Sequence, residues 1–153
     1  MSFLNKMIVS LFFLVPGLAL GQVHLDGSYD EASSTITVTM TNDVAVAGIQ
    51  FDLVDTPEAL SVSGATPAFD NASDFTFSSN ESGTIIGFSF SGAVIAAGTH
   101  TLCEVNIDLT GNYTEVTFDN PVFADAETNN LAVTTGDPII VGEMLPTTQV
   151  QVI

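Results

Sequence analysis

Residues 35–41 read Thr-Ile-Thr-Val-Thr-Met-Thr, with Ile36, Val38 and Met40 on one parity and threonine on the other. Such a run has one apolar face only when successive side chains point to opposite sides, so it specifies a half-buried strand and forbids a helix. The same period recurs in Ile49, Phe51 and Leu53, in Phe75 and Phe77, and in Ile86, Phe88 and Phe90. It continues in Cys103, Val105, Ile107 and Leu109, and in Val116 and Phe118. An opening strand around residues 23–29 and a later one around 131–134 bring the expected total to eight or nine.

Turn signals separate these runs at short intervals: Asn42-Asp43, Ser63-Gly64, Asn80 to Gly83, Gly92 to Gly98, Gly111-Asn112 and Asp125 to Asn130. Nowhere does an apolar series hold helical spacing for three turns, although Pro57 to Leu60 could form one short turn. Many short strands with one greasy face each are satisfied by two packed sheets sharing a core. The expected fold is therefore all-β, a two-sheet β-sandwich. Phe51, Phe69, Phe75, Phe77, Phe88, Phe90, Phe118 and Phe123 are the expected core aromatics.

Charge narrows function. The chain has eighteen Asp and Glu but one Lys or Arg, Lys6, and a net charge of −17. Without cations the body has nothing to neutralise phosphates or release counterions, which excludes nucleic-acid and P-loop roles. Lys6 sits in a short polar start. An apolar run follows from Met7 to Leu20, and Ala19 and Gly21 fill the small-residue positions of a cleavage site. Residues 1–21 thus read as a secretory signal, cut before Gln22. The run is too short for the roughly 20 residues of a membrane span, so the expectation is a secreted or cell-surface protein with no membrane insertion after cleavage. Residues 22–135 form the expected domain and 136–153 a C-terminal extension.

Catalytic constellations are thin. His24 and His100 are the only histidines, and no nucleophile elbow or zinc-type Cys-His spacing occurs. Carboxylate pairs such as Asp52 with Asp55, Asp70 with Asp74 and Glu104 with Asp108 would need to face one another across a cleft to hydrolyse a glycoside. The reading is a non-enzyme. Cys103 is the single cysteine and, sharing a strand face with Val105 and Ile107, reads as a buried thiol. Asn71, Asn80 and Asn112 begin Asn-x-Ser/Thr triplets.

Acid-rich turns supply oxygen ligands of the kind calcium takes in irregular loops. The candidates are Asp119, Asp125, Glu127 and Asn129 on one side and Asp30 and Asp43 at the far ends of one hairpin, with Ca2+ as the expected ion. None matches the EF-hand order or a calcium β-helix repeat.

Taken in order, Ala47-Gly48-Ile49-Gln50-Phe51-Asp52-Leu53, Leu60-Ser61-Val62, Ile85 to Phe90, Ile95-Ala96-Ala97-Gly98-Thr99 and Val116 to Asn120, followed by Val122 to Glu127, resemble the cohesin-type β-sandwich. The resemblance spans about residues 23–133. It implies a nine-stranded jelly roll, related to a superfamily of carbohydrate-binding modules, and a binding or scaffolding role toward an extracellular protein or a carbohydrate. Cohesins grip dockerin modules in cell-surface assemblies.

The terminal residues Thr147 to Ile153 alternate Val with polar positions and contain no Gly or Pro. Such a strand either adds to its own sheet or crosses into a neighbour, with Thr148, Val150, Val152 and Ile153 as the contact residues. Head-to-tail exchange does not close and builds a filament, so self-association into a structural filament or matrix is the main expectation. An adhesion module binding a partner protein or carbohydrate is the alternative.

Overall fold

The computed structural model describes residues 21–146. Ten strands occur among them: β1 (Gln22–Asp30), β2 (Thr35–Asn42), β3 (Gly48–Thr56), β4 (Leu60–Pro67), β5 (Thr76–Ser79), β6 (Thr84–Phe88), β7 (Gly98–Leu109), β8 (Tyr113–Ala124), β9 (Asn130–Thr135) and β10 (Ile139–Gly142). The one helical piece among these residues is a 3-10 turn, Ala72–Asp74. The chain is all-β, a two-sheet sandwich as the alternation predicts, with the jelly-roll topology that the family resemblance implies.

One sheet runs β4-β7-β2-β1-β9 and the other β9-β8-β3-β6-β5, with β10 beside β8. Strand β9 joins them, lying parallel to β1 and pairing antiparallel with the end of β8. This seam nearly closes the sandwich. It also means that β10 belongs to the fold: Ile139 and Val141 are buried, and β10 pairs with β8 from Val116 to Tyr113. The sandwich therefore extends past residue 135, with Ile139 seated against Gly27 of β1.

Between the sheets the threonine-flanked strand behaves as its pattern demands, with Ile36, Val38 and Met40 fully buried. Phe51 is the centre of the core. Its ring meets Phe118 edge-on at 5.6 Å and lies nearly parallel to Phe123 at 6.4 Å, geometries that aromatic quadrupoles favour. Phe69 and Phe75 form a second edge-to-face pair, 5.0 Å apart.

Two irregularities adjust which side chains reach this core. Val38 pairs with Cys103 and Thr39 with Thr101, so Leu102 is the extra residue of a bulge, and both Leu102 and Cys103 are buried. On β8, Gln50 faces Val122 and Asp52 faces Asp119, which leaves Asn120 and Pro121 against Phe51 alone. Asn120 takes a positive φ of 47° there. The proline sits where no ladder N–H is needed, and the offset lets both Phe118 and Phe123 point inward although an odd number of steps along the strand separates them.

The short helical turn expected at Pro57 to Leu60 does not form; the segment is a bend between β3 and β4, held by one carboxylate. Asp55 Oδ2 accepts hydrogen bonds from the Ala59 and Leu60 backbone N–H groups at 2.6 and 2.8 Å.

Cys103 is buried and unpaired. Burial, with a smaller contribution from the neighbouring Glu104 charge, pushes its thiol from the usual 9.0 up to about 12. A thiol so protected stays protonated and unreactive. A folded sample treated with a thiol-reactive disulfide is expected to label only as fast as it unfolds, whereas labelling at the rate of a free thiol would contradict the burial. Because the folded value is the higher one, the unfolded state ionises first, and stability falls as pH rises from 9.0 toward about 12.

Candidate functional site

Two expected core residues are not in the core. Phe88 is 37% and Phe90 86% exposed, while Ile85 is fully buried. Strand β6 is turned over relative to the period-two reading of Ile86, Phe88 and Phe90: Ile85 and Gly87 face inward instead. The cause is Phe77, whose ring lies over Gly87 so closely that a Cβ there would come within 2.6 Å of it. Gly87 is the cradle for that ring, and its parity is thereby fixed to the inside.

Turning β6 over places its large side chains on the outer face of the β8-β3-β6-β5 sheet. Cross-strand pairing arranges this face in rows. Val122, Gln50, Ile86 and Ser78 form one row, and Phe88 stands beside Thr76 in the next. Phe90, on the loop after β6, meets the Phe88 ring edge-on at 4.8 Å. Its loop is braced by Ser89, whose Oγ accepts the Ala93 N–H and bonds the Ser91 hydroxyl. Farther along, Val54 stands opposite Thr117, and Ile140 on β10 opposite Glu115. Ile86, Phe88, Phe90, Val122, Val54 and Ile140 are all exposed apolar side chains. Gathered on one sheet face they are an unusual surface for a chain this acidic.

An acidic row crosses between the two apolar zones. Asp52 pairs with Asp119 on β8 and Thr84 on β6. Asp52 Oδ2 accepts a 2.9 Å hydrogen bond from Asn120 Nδ2, and its Oδ1 is enclosed without a partner. The face thus combines apolar contact area with negative charge, the complement of a protein surface carrying apolar and basic side chains.

The residues expected to hold calcium fall in separate places. Asp125, Glu127 and Asn129 share one loop, where Asp125 Oδ1 accepts the Glu127 and Asn129 N–H groups at 3.0 and 2.8 Å and Oδ2 accepts Asn129 Nδ2 at 2.9 Å. The Asn129 bonds, and the weaker Glu127 one, hold the Asp125 carboxyl below its ordinary pKa. Asp119 belongs to the sheet face. Asp30 closes its own turn through Ala32 N and Ser33 Oγ, and Asp43 accepts the Gln22 N–H at the other end of the hairpin. Among the described residues no group of three or more His, Cys, Asp or Glu side chains is placed to hold a metal.

The carboxylate pairs do not form a cleft either. Asp55 is committed to its bend and Asp52 to Asn120, and Glu104 and Asp108 lie exposed along β7. His24 Nδ1 bonds Thr134 Oγ1, and His100 Nε2 bonds the Ala96 carbonyl, both at 2.8 Å. Thr148, Val150, Val152 and Ile153 lie outside the described residues, as do residues 1–20 of the expected signal. Among the described residues no helix is long and apolar enough to cross a membrane.

No family model matches the chain, and no curated protein matches it. Solved structures do. The third cohesin of ScaC from Acetivibrio cellulolyticus, solved in complex with the ScaB dockerin, superposes with a TM-score of 0.59 at 22% identity, covering 81% of this chain and 100% of that one. A cohesin of Clostridium thermocellum, from the OlpC cohesin–dockerin complex, gives 0.57 at 13% identity over 82% of this chain and 95% of that one. A non-cellulosomal cohesin from the archaeon Archaeoglobus fulgidus gives 0.56 at 19% identity, covering 80% and 88%. At such identities the likeness speaks for the fold, and it agrees with the resemblance carried by the strand and turn phrases. The chain has the β-sandwich fold of the cohesins.

Proposed function

We propose that this chain is a non-catalytic extracellular adhesion module that docks a protein partner on the outer face of the β8-β3-β6-β5 sheet. The observation that carries the reading is the exposure of Phe88 and Phe90 beside Ile86 and Val122 on one side of the sandwich. Aromatic side chains grouped in this way are what interface centres are made of. The exposed Asp119 and Glu115 select a partner with lysine or arginine around its apolar contacts. The cohesin fold supports the same reading, since two of the similar structures were solved with a dockerin bound. The leader-like residues 1–21 support a location outside the cell.

The test is a titration of partner proteins, taken from the host's own secreted fraction and purified, against the parent chain and against a variant with Phe88→Ser and Phe90→Ser. Loss of binding in the variant supports the docking face. Equal affinity for both contradicts it.

A second reading, a filament built by strand exchange, has its own support. Among the described residues β4, β5 and β10 each pair on one side only, so each offers an edge to which a strand can add. Residues 147–153 would supply that strand to a neighbour. Removing residues 144–153 is then expected to convert large particles into monomers in a sedimentation experiment. A size distribution indifferent to the truncation would rule the exchange out.

A further inference from the structure

We infer that cutting the leader at the Gly21–Gln22 bond creates an ionic site: the Asp43 carboxylate captures the new α-ammonium group of Gln22, fastens the start of β1 and keeps the terminal glutamine from cyclising. The geometry is already present in the uncut chain. Gln22 N donates to Asp43 Oδ1 at 2.6 Å, and Asp43 N donates back to Gln22 O at 3.2 Å. The two residues continue the β1–β2 register one step beyond Val23 and Asn42. The nitrogen held by Asp43 is the one backbone atom that this cleavage would turn from an amide into an amine.

That change strengthens the contact. An amide offers one neutral N–H, whereas an α-ammonium offers three with a full charge, and charge-assisted hydrogen bonds are roughly twice as strong as neutral ones. An α-amino group has an ordinary pKa of about 8, so it is mostly protonated at neutral pH. No lysine or arginine follows Lys6. Histidines aside, the α-ammonium would be the mature chain's only cation, set among eighteen acidic side chains.

The structure also shows where the chain becomes committed to the fold. Val23 is fully buried and pairs on both sides, with Asn42 on β2 and Val133 on β9. Gly21 is held more lightly, through one hydrogen bond from Ala132 N to its carbonyl. Cleavage gives up that bond at Ala132, an exposed residue whose N–H can turn to water, and the ion pair replaces it at the next position.

Cyclisation is the reaction that the pair restrains. The neutral α-amine attacks Cδ of its own side chain, the N–Cδ bond forms, the Cδ–Nε2 bond breaks, and ammonia leaves with a proton from the attacking nitrogen. A protonated amine has no lone pair for this attack. The titratable groups near this nitrogen are Asp43 and, two residues along β1, His24, whose ring is tied to Thr134. Opposite Gln22 on β9 stands the uncharged Ala132.

The full chain should be expressed with its leader in a secreting host and the exported protein examined by intact mass and N-terminal sequencing. The expected product begins at Gln22 with a free, sequenceable amine. Asp43→Asn is expected to lose one ammonia from that terminus about two- to fivefold faster at neutral pH, the ratio that an exposed ion pair sets on the neutral-amine fraction. It should also melt lower although it relieves net charge, while the exposed Asp70→Asn should not. Should Asp43→Asn fail to fold, reductive methylation of the parent protein decides: the α-amine should react more slowly folded than in denaturant. An uncut chain, or one cut elsewhere, overturns the leader reading. A Gln22 terminus that is blocked, methylates equally fast in both states, or cyclises no faster in Asp43→Asn than in the parent overturns the capture.

Discussion

Phe51→Ala lowers the unfolding free energy by about 3–5 kcal/mol in urea denaturation, the range for truncating a fully buried phenylalanine. The effect is large because Phe51 is enclosed by both sheets and its ring contacts Phe118 and Phe123 at once. The bulge at Asn120 and Pro121 brings those two rings to it from one strand, so no neighbour can shift to fill the void without disturbing the β3–β8 register. A domain of this size is stable by about 5–15 kcal/mol, and the variant should therefore sit near the edge of folding. Phe90→Ala, by contrast, should change stability by no more than about 0.5 kcal/mol, as surface substitutions do. If the two variants were equally destabilised, the division of phenylalanines between core and face would be wrong.

The second large effect concerns binding. With Phe88→Ser and Phe90→Ser together, affinity for a protein partner should fall by about 100-fold or more, since central aromatic anchors each contribute about 2 kcal/mol or above. Stability should change far less than with Phe51→Ala, because both side chains already meet solvent. Calorimetric titration measures the first and a melting curve the second. A comparable loss from substitutions on the outer face of β2 and β7, with these two neutral, would move the interface to the other sheet.

How much of this was legible in the sequence depends on how unequal the two faces of each strand are. Strand β2 could be read without error because every alternate residue is threonine, and only one parity can be buried. Strand β6 could not. Ile85 and Ile86 are both apolar, and counting alternate positions favours Ile86, Phe88 and Phe90 over Ile85 and Gly87. What decides the parity is the Phe77 ring over Gly87, a contact between strands that no local pattern records. The exposed aromatic pair of the proposed docking face was hidden by the same ambiguity, since period two puts Phe88 and Phe90 in the core. Strand β10 was missed for a related reason: Ile139 to Gly142 is short, follows Asp137-Pro138, and gains its strand character from pairing with β8. The acidic turns were visible, but their carboxylates turn out to close their own loops, as at Asp30 and Asp125. Nothing in residue order distinguishes a carboxylate bonded to its own backbone from one free to take an ion.

Whether a partner docks on the outer face of the β8-β3-β6-β5 sheet can be read from amide hydrogen exchange of the chain, alone and saturated with a purified partner. Docking there brings new protection to the loop from Ser89 to Ala93 and along the open edge of β5, and leaves the outer surface of β4, β7 and β2 unchanged. Protection confined to β4, β7 and β2 would place the partner on the opposite sheet and refute the assignment.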